Sequence, residues 1–213
     1  MDRMMKKSDN LHAEAVFYQL AAAYADQPYA TARDGARMIG RLIRRVGHQP
    51  TRYSMADGSG VSLYNYLSPR LMADVLRHAY RHPAIYRHLK QALPVAGIDG
   101  TLKNRMKKTP AYRRVFAKTG TLTGVTSLAG YAIAPNGHTR AFVIINQNPV
   151  KKEKCQVTLP GPKAFDMVME GKFGYMASFR NFAITEVKIA DAISKLKLVD
   201  PNGEEVRAAL EVG

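Results

Sequence analysis

The chain has 213 residues, a formal net charge of +15, 46% apolar and 23% charged residues, which allows a packed core and excludes a disordered or low-complexity chain. No apolar run of spanning length occurs, and no apolar stretch follows the basic residues of Met1–Asn10; these residues read as neither a membrane-crossing helix nor an ordinary secretory leader, and the chain as written is expected in the cytoplasm. A single cysteine, Cys155, excludes an internal disulfide and a cysteine-based zinc site.

A helix is expected over His12–Ala25, apolar and free of breakers up to Pro28, and mostly buried. Thr31 with Asp34 makes a capping-box pattern, and Met38, Ile39, Leu42, Ile43 and Val46 form one apolar stripe that stops at Gly47, so a second helix follows. Its other face carries Arg37, Arg41, Arg44 and Arg45. A solvated face is the plain reading, because no aromatic ladder accompanies the arginines, and no nucleic-acid partner is expected.

Asp57-Gly58-Ser59-Gly60 holds a tight loop. Ser68 as N-cap and Pro69 at the first helical position open a third helix, with Leu71, Met72, Val75, Leu76 and Ala79 at helical spacing, which ends before Pro83. His78 and His82 have zinc-ligand spacing, but Pro83 frays the turn that holds His82, so no metal and no cofactor is expected.

After Lys107-Lys108 the apolar period changes to two. Three strands are predicted, 114–122, 127–134 and 140–146, the last two joined by a turn at Pro135–His138. The fold class is therefore α/β of the segregated, α+β kind: an antiparallel sheet with packed helices. Residues 1–150 hold 22 Lys+Arg against 8 Asp+Glu, whereas residues 151–213 hold 10 against 9. That step sets a boundary at residue 150 and makes the remainder a small α/β extension, with a helix over 164–170, a turn over 171–175, a strand around 184–187 and a charged helical end.

Two motifs carry chemistry. With 15 Lys, 11 Thr, 16 Gly, 8 Ser and 8 Asn in the chain, chance gives ~0.06 Lys-Thr-Gly and ~0.3 Ser-x-Asn. Both occur, as Lys118-Thr119-Gly120 and Ser8-Asp9-Asn10, and together they are far more specific than either alone. Their logic is that of serine acylation chemistry on D-Ala-D-Ala and penicilloyl groups. Lys118 and the Thr119 hydroxyl suit a terminal carboxylate, and Gly120 lets a substrate approach the strand edge. Ser8 beside Lys118 can pass a proton to a leaving amine, and Asn10 can orient an amide.

On these residues, residues 1–150 resemble the D-alanyl-D-alanine carboxypeptidase/endopeptidases, low-molecular-mass penicillin-binding proteins. KKSDNLHAEAVF, DGSGVSLYNYLSP, AGIDGTLKNR and AKTGTLTGVTSLAGYA are similar to that family's segments, in the family's order. The resemblance implies a partial β-lactamase/transpeptidase-like domain and a periplasmic serine hydrolase acting on peptidoglycan stem peptides that end in D-Ala-D-Ala and, across the family, on β-lactams. It places Ser8, Asn10 and Lys118 at catalytic positions, Lys118, Thr119 and Gly120 at substrate-binding ones, and makes Asp57–Asn65 a structural loop. A class A β-lactamase needs a deacylating glutamate between the motifs, and only Glu14, one turn into the helix, stands there.

The family's nucleophile lies in a Ser-x-x-Lys N-terminal to Ser-x-Asn, and here one match exists, Ser194–Lys197, after both motifs. Residues 1–150 are therefore expected to be inactive alone. Residues 159–213, with FDMVMEGKFGYMASF and ITEVKIADAISKLKLVDP, resemble the C-terminus of a 6-phosphofructokinase without its binding motifs. A truncated or fused reading frame would account for both, and a coincidental α/β extension is the plain alternative for the tail. Two readings of another kind stand beside the hydrolase: a basic nucleic-acid-binding module, and a non-catalytic D-Ala-D-Ala peptide binder. The family fold also implies an unpaired edge on the strand Arg140–Asn146, open to self-association.

Overall fold

The computed structural model describes residues 1–25, 28–147, 175–180 and 183–188, with Met167, Glu170 and Lys172. The chain divides into two compact units, Met1–Pro162 and Lys163–Gly213. In the second, β4 (Tyr175–Arg180) and β5 (Ala183–Lys188) pair as an antiparallel hairpin, which contains the strand predicted around 184–187. The predicted helix over 164–170 lies outside the described residues except for Met167, Glu170 and its helical assignment at Met167. Ser194–Lys197 and the charged C-terminal segment lie outside them entirely.

Among the described residues the first unit carries five α-helices and one sheet: α1 (Asp2–Lys6), α2 (Asn10–Ala22), α3 (Ala32–Arg45), α4 (Pro69–Arg81) and α5 (Pro83–Ala92), then β1 (Val115–Leu122), β2 (Val125–Ile133) and β3 (Thr139–Gln147). The sheet is an antiparallel meander in the order β1-β2-β3. Register runs from Val115 opposite Ala132 to Leu122 opposite Val125, and from Val125 opposite Gln147 to Ile133 opposite Thr139. Gly124 (φ 76°) and Gly137 (φ 81°) supply the left-handed residues of the two hairpin turns.

The helices start where side chains can cap them. Thr31 and Asp34 form the full capping box of α3, and the Ser68 hydroxyl accepts from the Leu71 N–H at the start of α4. The helix predicted from residue 12 begins at Asn10 with Asp9 as its cap, and the short α1 before it was not expected. That helix is also less buried than its composition suggests: Phe17 and Ala21 are buried, while Leu11, Val16, Tyr18 and Leu20 are exposed. Its apolar residues surround the axis, and only one side meets α3 and the Gly58 loop.

Phe17 is the key of that side. A Cβ on Gly35 would come within 2.6 Å of its ring, and one on Gly58 within 2.4 Å of its Cβ, so both glycines exist to let Phe17 close the gap between α2, α3 and the loop. Helix α5 was missed because Pro83 ends one helix and also opens the next, where its missing N–H is harmless. Tyr131 on β2 faces α4, and the buried Leu128 and Ala132 lie on the other face of the sheet by strand alternation. The Tyr131 hydroxyl donates to the Leu76 carbonyl at 2.8 Å, and burial, with the neighbouring Tyr86, pushes the Tyr131 pKa up.

Candidate active site

Ser8 sits in the tight link between α1 and α2. Its φ of 56° is left-handed, a conformation that disfavours a residue with a Cβ and stores about 1 kcal/mol. What holds it there is the helix start on one side and α1 on the other: the Asp9 carboxylate accepts from the His12 N–H at 3.1 Å, and the Asp9 N–H donates to the Arg3 carbonyl. That division of labour frees the Ser8 hydroxyl, because Asp9, not Ser8, caps α2.

The freed hydroxyl meets the strand. Lys118, on β1, donates its Nζ to Ser8 Oγ at 2.6 Å across 110 residues of sequence, and also donates to the Thr119 carbonyl. Burial pushes the Lys118 ammonium below the ordinary lysine range. Since Nζ is the donor, the Ser8 proton is free to point at a third group. The two sequence motifs thus form one constellation.

The edge of β1 is open where that constellation lies. The 94–96 segment covers its first half, with Ala96 N–H donating to Val115 O and Ala117 N–H to Pro94 O. By strand alternation, Thr119 and Thr121 direct their backbone groups to the same side, and beyond Ala117 no strand pairs with that edge among the described residues. An extended ligand could add there as a further strand. Gly120 lies opposite Ser127, and a Cβ on it would stand 2.4 Å from Ser127 Oγ, so the cross-strand neighbour alone favours glycine.

Thr119 and Asn10 need separate description. The Thr119 hydroxyl donates to Thr101 Oγ1 at 2.9 Å, so it can turn to a carboxylate only if Thr101 becomes the donor. Asn10, at the first turn of α2, is exposed, and its side chain makes no hydrogen bond among the described residues. Thr101 and Asp99 are the residues sequence reasoning missed. Asp99 accepts from the Val95 N–H at 2.8 Å and pairs with Lys6 of α1. Gly100 (φ 54°) lies so close that a Cβ would meet the Lys6 carbonyl oxygen at 2.7 Å. This loop docks the Ser8 arm onto the sheet, and the signal for it was the Asp-Gly pair in AGIDGTLKNR.

The Asp57–Asn65 loop is held by its own groups. The Asp57 carboxylate accepts from the Gly60 and Ser62 N–H groups, both at 2.6 Å, and from Asn65 Nδ2 at 2.9 Å. Glu14 accepts from the N–H groups of Gly58 and Ser59 at 3.2 and 3.0 Å, which ties the loop to α2 and occupies the glutamate between the motifs structurally. Burial opposes ionisation of Asp57, but the donors from Asn65, Ser62, Gly60 and Val61 outweigh it and hold the carboxyl below its usual value of 3.8. A carboxyl depressed on folding contributes stability above its unfolded pKa and loses it as pH falls through the lower folded value. Asp57→Ala is therefore expected to lower stability at pH 7 by about 1–2 kcal/mol, with the gap to wild type narrowing as pH falls below the ordinary carboxylate value of 3.8. Thermal unfolding followed across that range checks this, and a gap that does not change with pH contradicts it.

His82 Nδ1 lies 2.7 Å from the His78 carbonyl oxygen, and the two rings sit with centroids 4.3 Å apart. On α3, Arg37 donates to Asp34 and Arg41 lies over the Tyr24 ring at 5.5 Å, so two of the four arginines on that face are engaged within the chain. No helix among the described residues is long and apolar enough to cross a membrane.

Comparison with known proteins shows the family. Residues 1–159 match the model of the D-Ala-D-Ala carboxypeptidase 3 (S13) family. The D-alanyl-D-alanine carboxypeptidase DacB of Haemophilus influenzae is 35% identical over 145 residues, 67% of this chain and 30% of that protein. The D-alanyl-D-alanine carboxypeptidase of an Actinomadura species is 35% identical over 147 residues, 67% of this chain and 27% of that protein. The chain thus spans about a third of the length of the curated relatives it matches. Penicillin-binding protein 4 of H. influenzae superposes with a TM-score of 0.68 at 31% identity, over 79% of this chain and 38% of that one. The TLA-3 extended-spectrum β-lactamase superposes at 0.53 and 18% identity, over 71% of this chain and 56% of that one, and shares the fold alone. With the Ser8 and Lys118 motifs joined on a sheet of that kind, the chain belongs to the D-Ala-D-Ala carboxypeptidase 3 (S13) family.

Proposed function

We propose that this chain carries the carboxylate-gripping and proton-relaying part of a serine D-alanyl-D-alanine carboxypeptidase/endopeptidase site that acts on peptidoglycan stem peptides in the periplasm. The observation that carries the reading is the 2.6 Å bond from Lys118 Nζ to Ser8 Oγ. The terminal carboxylate of the peptide pairs with Lys118 and the Thr119 hydroxyl, its backbone lies along Thr119–Thr121, and Asn10 orients the amide. As the peptide C–N bond breaks, the leaving nitrogen takes the Ser8 hydroxyl proton and Ser8 recovers one from the Lys118 ammonium. Burial makes that ammonium a readier acid than an ordinary lysine.

The acyl group must pass to a Ser-x-x-Lys serine, which the family resemblance places N-terminal to Ser8. In this reading the 213 residues by themselves grip peptide without acylating, and β-lactams leave no covalent adduct on them. The match to the family ends at residue 159, where the resemblance to a 6-phosphofructokinase C-terminus begins, which supports a tail of separate origin over 159–213. Strand β3 pairs on one side only among the described residues, which supports self-association by strand addition at that edge.

Calorimetric titration with an N-acylated peptide ending in D-Ala-D-Ala tests the site. Saturable binding is expected for it and not for its L-Ala-L-Ala epimer. Equal binding of both peptides, or of neither, overturns the reading.

A further inference from the structure

A second concave site lies away from the Ser8–Lys118 constellation and shares no residue with it. It is a cleft of about 580 Å³ between the end of α3 and the outer face of α4, within the usual size range of small-ligand sites. Four arginines line it, Arg45, Arg70, Arg77 and Arg81, against one carboxylate, Asp74.

Asp74 works as the organiser of this cleft. Its side chain is 13% exposed, and its two oxygens accept from Arg70 Nε at 2.8 Å, Arg77 NH1 at 2.9 Å and His48 Nε2 at 3.1 Å. The Tyr53 hydroxyl fixes the other ring nitrogen of His48 at 2.8 Å. The carboxylate thereby spends its lone pairs on groups that still hold surplus donors: the Arg70 and Arg77 side chains remain 78% and 54% exposed, and a guanidinium has five N–H groups. Arg70 first, then His48 and Arg77, hold the Asp74 carboxyl down to about 2, so it stays ionised and the arginines stay fixed. Arg45 at the end of α3 and Arg81 at the end of α4 make no ion pair among the described residues. Both act on His78, whose pKa burial lowers first, with His82, Arg45 and Arg81 adding to it. Held positive charge without a counterion, in a concavity, is the condition for anion capture.

We propose that this cleft binds a phosphate-bearing anion, with the outer N–H groups of Arg70 and Arg77 and the unpaired guanidiniums of Arg45 and Arg81 as its donors. Arginine forks match phosphate oxygens two at a time. A surface of evenly spread charge would show neither the pre-oriented pair nor the concentration of arginines around one half-buried carboxylate.

The full chain is titrated with pyrophosphate and, separately, with phosphatidylglycerol vesicles at about 0.15 M salt, where exposed charges beyond about 8 Å are screened. Saturable binding of at least one probe is expected, weakened about tenfold by Arg81→Gln and by Arg45→Gln, and unchanged by Lys107→Gln, an exposed lysine outside the cleft. Circular dichroism of each variant confirms folding. Binding of pyrophosphate identifies a soluble phosphate, and binding of vesicles alone a lipid headgroup. No saturable binding of either probe overturns the proposal, as does equal weakening by Lys107→Gln.

Discussion

Gly100→Ala is expected to unfold at a temperature lower by about 5–15 °C and to lose peptide binding with it. Two effects add. An alanine at a φ of 54° carries left-handed strain of about 1–2 kcal/mol, and its Cβ would stand 2.7 Å from the Lys6 carbonyl oxygen and 3.1 Å from Lys6 Cα. Those are backbone atoms, which cannot turn aside as a side chain can, so overpacking adds about 1–3 kcal/mol. For a chain of this size each kcal/mol lowers the midpoint by about 2–4 °C. Relief comes by moving α1 off the loop, which parts Lys6 from Asp99 and carries Ser8 away from Lys118. Gly47→Ala is the control: φ is 88° but nothing lies within 4 Å of its Cβ, so it shows the strain without the displacement, and peptide binding survives. Equal effects of the two substitutions on binding would mean that the Gly100 loop does not position Ser8.

Lys118→Ala is expected to weaken binding of the D-Ala-D-Ala peptide by about 10–100-fold while leaving thermal stability near that of wild type. A charge-assisted hydrogen bond to a carboxylate contributes about 1.5–3 kcal/mol, which corresponds to that factor. Stability should hold because the partners left behind are not stranded. Ser8 is exposed and the Thr119 carbonyl lies on the open strand edge, so water replaces the ammonium, and the variant is relieved of a charge that burial disfavours. Lys118→Arg is not expected to restore affinity, since a planar fork cannot take the place of a compact ammonium between Ser8 Oγ and Thr119 O. Titration calorimetry and thermal melts on the same samples separate the two effects. Loss of stability in step with affinity would make Lys118 a structural lysine.

How much of this is legible in the sequence depends on whether a residue acts through its neighbours in the chain or through space. The caps of α3 and α4 are local, and Thr31 with Asp34 and Ser68 with Pro69 announce them. The meander is local too, because the period of two and the Pro135–His138 turn fix it, and it differs from the structure only in strand ends. Pro83 misleads because one residue serves two helices. The exposure of Leu11 and Val16 misleads because composition tells how apolar a helix is and not which side finds a partner.

The site divides the same way. Lys118-Thr119-Gly120 and Ser8-Asp9-Asn10 are visible because their chemistry demands fixed residue types. What brings them together is not visible: the left-handed φ of Ser8, the transfer of the capping role to Asp9, and the Asp99–Lys6 contact over Gly100. Thr101 has no motif of its own and matters only because Thr119 Oγ1 reaches it. The arginine cleft also escapes a linear reading, since Arg45 shares a helix face with Arg37 and Arg41 but shares a cavity with residues of α4.

The juxtaposition of the two motifs is the ground of the whole account, and nuclear Overhauser spectroscopy on protein labelled at lysine and serine reads it directly. A cross-peak is expected between the ε-methylene of Lys118 and the β-methylene of Ser8, lost in Gly100→Ala and kept in Gly47→Ala. A Lys118 ε-methylene that shows contacts within β1 and none to Ser8 would contradict it.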